Sequence, residues 1–307
     1  VSAERRLVID IGTNSVLALL ADVQGDRLNV ISDRKATTRL GEGLLSTGKL
    51  SSTAMLRTSD AVVQFAADIK CDKFILLGTE ALRIATNARE FKTLLVEKTG
   101  SGLQIISGDK EAELAFLGAI YNLPIPGKDV LLIDVGGGST ELVFGRNGKI
   151  IKSQSVPIGA LKLLESLPDD TADIFGYFTG RGLDYLMNPL SDFHISPHFA
   201  VISTGGTSTS AAAIATGMKT YDAAKIHGMH LSYAQMEQIA RQFEKAGPEK
   251  RPILIPFDPE RAELILPGLG IYLAFMSIIE QQTLVVSTGG LRFGAALHPD
   301  KINYQDQ

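Results

Sequence analysis

The chain has 307 residues, long enough for two domains of ordinary size, and its 45% hydrophobic and 21% charged content excludes disorder and a collagen-like repeat. Thirty basic against 34 acidic residues leave a net charge of −4 with no basic block, so neither a nucleic-acid polymer nor a membrane surface is an expected partner. The single cysteine, Cys71, rules out an intramolecular disulfide, and no apolar run approaches the ~18 residues of a bilayer span, so the expected location is the cytoplasm.

In chain order, Arg6 to Ile11, Val16 to Asp22 and Leu28 to Asp33 are expected as three short strands, joined by a Gly-Thr-Asn turn and a Gly25-Asp26 turn. Ser51 to Ile69 has helical apolar spacing. Lys73 to Gly78 is a buried strand, Thr79 to Lys98 is largely helical, Leu103 to Ile106 is a strand, and a helix runs from about Asp109 to Tyr121. LPIPGKD at 123–129 holds two prolines and a glycine, and it sets the expected boundary between domains at 1–124 and 125–307. The pattern then restarts with strands Val130 to Asp134, Thr140 to Phe144 and Ile150 to Ser155. Helices follow, then strand Phe199 to Ser203, a helix from about Ser208 to Ala215 and a long helical region through Lys245. A helical region at Arg261 to Gln281, strand Thr283 to Ser287 and a last helix from about Gly290 close the chain, with room for that helix to pack back on the first domain. Two related α/β domains, each opening on a three-stranded meander, are the expected architecture.

The first turn of each meander carries the same chemistry: DIGTNSV at 10–16 and DVGGGSTEL at 134–142. Glycines leave backbone N–H groups open to an anion. Serine and threonine hydroxyls add donors, and an aspartate at the strand end holds a hydrated divalent cation that bridges to phosphate. Either turn alone is also what a tight hairpin uses. Both at equivalent places argue for two phosphate-binding loops. STGGTSTSAAA at 203–213 and STGGLRFG at 287–294 place further glycines before helices, where anions bind. Rossmann and P-loop signatures do not occur. The spacings of His194/His198 and His227/His230 lack an accompanying acidic cluster, so no histidine metal site is expected.

DIGTNSV, RLGEGL (39–44), TEALRIATN (79–87), ISGDKEAEL (106–114), LLIDVGGGSTEL (131–142), TGGTS (204–208), HG (227–228) and STGGLRFG fall in an order that resembles the exopolyphosphatase/guanosine pentaphosphate phosphohydrolase (Ppx/GppA) family of the actin/hexokinase/Hsp70 superfamily. The resemblance spans the chain and implies a short form without the C-terminal HD-like domain of long members. It implies two actin-like (ribonuclease H-like) domains with mixed β-sheets flanked by helices and a cleft between them. It also implies release of terminal phosphate from inorganic polyphosphate or conversion of pppGpp to ppGpp, with Mg²⁺ and with K⁺ as an activator, and it admits a homodimer.

On that resemblance, Glu111 is the water-activating base and Glu141 a second acid for water or metal. Asp134 is the favoured Mg²⁺ ligand, with Asp10 beside it in the scheme. Gly136, Gly137, Gly138, Ser139 and Thr140 contact phosphate from one side, and Thr13, Asn14 and Ser15 from the other. Arg83 neutralises phosphate charge; Gly205 and Gly206 form the third anion turn; Arg39, Arg261 and Arg292 extend the basic lining. Glu113 is expected on the helix surface. Leu17 and Lys110 stand where the family often carries polar and acidic residues, respectively. An ATP-dependent small-molecule kinase and a non-catalytic nucleotide switch of the same superfamily are the competing functions.

Overall fold

The computed structural model describes residues 2–125, 129–193 and 199–302. Its backbone forms two units: one runs to Gly118 and resumes at Leu291, and the other is Ala119–Gly290.

The first unit opens with β1 (Glu4–Ile11), β2 (Ser15–Gln24) and β3 (Arg27–Thr37). β1 is buried without a break from Leu7 to Ile11 because it lies inside the sheet, antiparallel to β2 and parallel to a later strand. A single turn, α1 (Leu44–Thr47), precedes α2 (Ser52–Ala66), which starts where the Ser51 side chain accepts from the Ala54 N–H. Then come β4 (Lys73–Gly78), α3 (Glu80–Ile84), α4 (Ala88–Thr99), β5 (Leu103–Ile105) and α5 (Gly108–Ile120). The helical stretch expected from Thr79 to Lys98 is thus two helices. Ala85 turns extended, and the Asn87 amide exchanges hydrogen bonds with the Leu50 backbone at 2.9 and 3.0 Å, which fixes the break.

The second unit repeats the meander as β6 (Asp129–Val135), β7 (Thr140–Arg146) and β8 (Lys149–Val156). It continues with α6 (Ala160–Glu165), α7 (Ile174–Ser191), β9 (Ala200–Thr204), α8 (Gly206–Ala215) and α9 (Ala223–Ile226). β10 (His230–Ser232), α10 (Tyr233–Leu254), α11 (Ala262–Ile278) and β11 (Thr283–Val286) follow. The chain then completes the first unit with α12 (Leu291–Leu297).

Strand order is β3-β2-β1-β4-β5 in the first sheet and β10-β11-β9-β6-β7-β8 in the second. Reversed, the second order reads β8-β7-β6-β9-β11, so all five strands of the first sheet have a counterpart and β10 is an added edge. Both sheets are mixed and carry the actin-like pattern of an antiparallel meander joined to parallel strands. The duplication therefore extends beyond the meander that the sequence displays.

Further sequence expectations change. β10 interrupts the helical region expected through Lys245; it is three residues long and exists only by pairing with β11, which no local pattern announces. The backbone divides at 118/119 rather than at the expected 124/125, and the chain from Leu291 belongs to the first unit, the return for which the sequence leaves room. The physical reason is burial: Leu291, Ala295 and Ala296 pack with Val8, Leu19 and Leu114 in one apolar cluster. Part of the LPIPGKD segment lies outside the described residues, as do His194 and His198. Finally, one helix, Pro259–Ile278, is long and apolar enough to cross a membrane by length and composition, but 78% of its most apolar window is buried inside the protein. Ile271, Tyr272 and Phe275 form part of the second unit's core, so that apolarity is spent on packing.

Candidate active site

The two aspartate-glycine turns are the same structure at matching positions. Gly12 N–H donates to Ser15 O at 3.0 Å, and Gly136 N–H donates to Ser139 O at 2.9 Å. A Cβ on either glycine would stand 3.2 or 3.1 Å from that same carbonyl, which explains why glycine occupies both positions. Each turn is held from outside by its carbonyls. The Thr13 and Asn14 carbonyls accept from the N–H groups of Thr38, Arg39 and Gly41, within and beside the RLGEGL segment. In the second unit the Gly136 and Gly137 carbonyls accept from Ala160, Leu161 and Lys162 at the start of α6. Gly159 makes that approach possible, because its Cβ would meet the Gly137–Gly138 backbone at 2.5 Å. With their carbonyls tied back, the turns keep N–H groups in reserve. No described residue accepts from the N–H of Thr13, Asn14, Gly137 or Gly138. Such a nest of amides is what an anionic oxygen needs.

In the first unit Thr13, Asn14 and Ser15 are all buried, and the Asn14 amide donates to Ser15 Oγ at 3.0 Å. Asn14 Oδ1 has no hydrogen-bond partner among the described residues. Elsewhere in this unit the fold brings Arg83 to Glu111. One guanidinium nitrogen donates to Glu111 Oε2 at 2.6 Å and to the Ile106 carbonyl at 3.0 Å. Ser107 caps α5, its hydroxyl accepting from Lys110 N–H, so Glu111 sits in the first helical turn, where the helix dipole favours a negative charge. Burial nonetheless pushes the Glu111 carboxyl above the ordinary glutamate range, against the pull of Arg83, and the buried Glu80 adds to the upward push. Arg83, expected on phosphate, is thus engaged with the expected base. Glu113, expected on the helix surface, is half-buried and paired with Lys110 and Lys301. Arg292 is paired with Asp33, and Arg39 lends its N–H to the first turn.

In the second unit Asp134 and Glu141 face each other across the β6–β7 ladder. Glu141 is buried, and its Oε1 accepts from the Ser139 and Ser155 hydroxyls, each at 2.8 Å. Asp134 borders the third glycine turn. Gly205 has φ +92°, and a Cβ there would lie 2.7 Å from Asp134 Oδ1, so glycine keeps the space beside that carboxylate open. Gly206 supports the Arg261 guanidinium, which pairs with Asp258 at 3.0 Å. Thr140 differs from expectation in its side chain: it is fully buried and its hydroxyl donates to the Ile158 carbonyl at 2.6 Å, holding the turn rather than pointing from it.

Ser155 is the residue that sequence reasoning missed. It has no motif around it, and only the β7–β8 register places it opposite Glu141. The corresponding row in the first sheet is Asp10, Leu17 and Lys35, so the departure at Leu17 falls where the second unit carries its acid. Among the described residues no group of three or more His, Cys, Asp or Glu is arranged to hold a metal ion. His227 is a packing residue: its Nδ1 accepts from the Thr288 N–H at 3.2 Å, and burial holds its pKa below the ordinary value.

A model of the Ppx/GppA phosphatase family matches residues 19–299. The chain belongs to that family. It is 30% identical over 279 residues to Exopolyphosphatase 2 of Mycobacterium tuberculosis, covering 86% of this chain and 87% of that one. It is also 29% identical over 311 residues to the bifunctional 3-dehydroquinate synthase/phosphatase of Fusobacterium nucleatum, of which the match spans 46%. Among solved structures it is similar to the Aquifex aeolicus Ppx/GppA enzyme, with a TM-score of 0.80 and 31% identity over 96% of this chain and 99% of that one. A Cytophaga hutchinsonii exopolyphosphatase shares the fold, with a TM-score of 0.87 at 22% identity over 98% of this chain and 100% of that one.

Proposed function

We propose that this Ppx/GppA phosphatase hydrolyses the terminal phosphoanhydride of inorganic polyphosphate, of pppGpp, or of both, in the cytoplasm. The observation that carries the reading is the duplicated turn, with its carbonyls tied back and its amides in reserve, built twice on one sheet plan. The likeness to a protein named as an exopolyphosphatase over most of both chains supports the substrate class.

In this scheme each turn receives phosphate oxygens within its own unit: the amides of Thr13 and Asn14 in the first, and those of Gly137 and Gly138 in the second, where Gly136, Ser139 and the Gly205–Gly206 turn add to them. Water attacks the terminal phosphorus, a new P–O bond forms as the bridging P–O bond breaks, and the bridging oxygen leaves on the shortened chain. Glu111 orients the water and takes its proton, and burial raises its pKa above the ordinary glutamate range, which makes it a stronger proton acceptor than a free glutamate. Glu141 is the second acid beside Asp134.

The donors present fit Mg²⁺ without a dedicated cage. Mg²⁺ is commonly held by one or two carboxylates, with substrate oxygens and water completing its shell. Asp134, bordered by a glycine that leaves room beside it, is suited to that role. When bound, the ion supplies neutralisation of phosphate charge. K⁺ is assigned as an activator.

The test is phosphate release from polyphosphate of defined length, pppGpp and ATP, by wild type and Glu111→Gln with Mg²⁺. Release from either of the first two that is lost in Glu111→Gln supports the reading. Consumption of ATP alone, dependent on an added sugar acceptor, replaces it with the kinase reading.

A further inference from the structure

Glu141 is held by two hydroxyls on one oxygen, and the two have different surroundings. Ser139 lies inside the glycine turn, among the groups assigned to phosphate. Ser155 lies outside it, on β8, directly opposite Glu141 in the ladder. On the other flank of Glu141, in the same row, stands Asp134. Like charges directly opposite in an antiparallel pair repel. A carboxylate buried to 2% exposure therefore depends on its hydrogen-bond donors to stay oriented.

A serine hydroxyl has one proton to give. A phosphate oxygen arriving in the turn competes with Glu141 for the Ser139 proton, and Glu141 then retains the Ser155 bond. We propose that Ser155 is a positioning residue: it holds the Glu141 carboxylate while Ser139 transfers its hydrogen bond from Glu141 to phosphate. The inference rests on the phosphohydrolase reading above. The duplicated sheet offers an internal comparison, because the row Asp10–Leu17–Lys35 lacks both the central acid and the flanking hydroxyl. Acid and hydroxyl occur together in one unit and are both missing from the other.

Ser155→Ala, Ser155→Thr and Ser155→Cys in the full chain test this, with steady-state phosphate release from pppGpp and from polyphosphate of defined length, and with thermal melting. The expected result is a kcat about tenfold lower in Ser155→Ala with KM within about twofold, the scale of one lost hydrogen bond to a charged group. Ser155→Thr restores kcat because it keeps the hydroxyl. Ser139→Ala, by contrast, raises KM as well. Should Ser155→Ala fail to fold, the Thr and Cys variants decide: Thr active and Cys impaired supports the role. Equal impairment of Thr and Cys, or an unchanged kcat in Ser155→Ala with an active wild type, overturns this inference alone. A wild type that releases no phosphate from either substrate overturns the phosphohydrolase reading and this inference with it.

Discussion

Arg83 and Glu111 share a 2.6 Å ion pair within the first unit, and the same arginine nitrogen also donates to the Ile106 carbonyl that leads into α5. The arginine is therefore tied to the loop that carries the glutamate as well as to the glutamate itself. Its side chain is 20% exposed and that of Glu111 14%, so the pair is shielded enough for its charges to matter. Two opposing influences act on Glu111, and burial outweighs the cation. The carboxylate is held in place yet kept ready to accept a proton.

Glu111→Gln is expected to lower phosphate release by about 10²–10⁴-fold, the usual worth of a positioned general base. Its stability should move the other way. The folded-state pKa lies above the unfolded one, so the stability linked to Glu111 is full below the ordinary glutamate value and is lost as pH rises through the raised value. Removing the titration lifts that loss. Melting curves from pH 4 to 8 should show Glu111→Gln gaining on wild type as pH rises; a variant that falls further behind toward pH 8 contradicts this balance.

Arg83→Ala removes the cation whose charge and hydrogen bond lower the Glu111 pKa. It leaves a shielded carboxylate without its cation, at an expected cost of about 1–3 kcal/mol at neutral pH. The acidic limb of the activity–pH profile should shift to higher pH, since Glu111 then holds its proton longer. An unchanged limb with an unchanged melting temperature would return Arg83 to a role on phosphate alone.

Gly205→Ala asks for φ +92° from a residue with a Cβ and drives that Cβ against Asp134 Oδ1. A loss of about 1–3 kcal/mol is expected from the backbone alone. The informative reading is the Mg²⁺ titration of activity, which should shift to higher concentration as Asp134 is displaced. Gly217→Ala serves as the control, since it has a similar positive φ but nothing within 4 Å of its Cβ. Equal Mg²⁺ dependence in the two variants would remove Asp134 from the metal scheme.

His227 accepts the Thr288 N–H through a ring nitrogen that must be unprotonated. Burial lowers its pKa, so the unfolded chain binds this proton more readily than the folded one. The His227 contribution to stability is full above the unfolded value of about 6.5 and is lost as pH falls from there toward the folded value. His227→Asn should flatten the decline in melting temperature below about pH 6.5. A wild-type curve that is already flat there would show the histidine to be uncoupled from folding.

Much of this protein can be read from local pattern because its local pattern is strong. β1 and β6 are apolar runs ending in Asp-x-Gly, and the turn glycines are required by a carbonyl only 3.1–3.2 Å from where a Cβ would stand. Such constraints act within four residues, so they leave a mark in the sequence. β10 left none, because three residues at a sheet edge take their structure from β11. The place of α12 was half visible. Its apolar face is plain in the sequence, but which core receives it depends on Val8, Leu19 and Leu114, distant along the chain.

The sequence by itself determined the two meanders, the acidic glycine turns and the family they belong to, since each depends on spacing along the chain. Only the tertiary structure decided who partners whom. Arg83 went to Glu111, Thr140 turned inward, and Ser155 came to stand beside Glu141 through strand register. Register and burial are properties of two segments at once, and neither segment carries them alone.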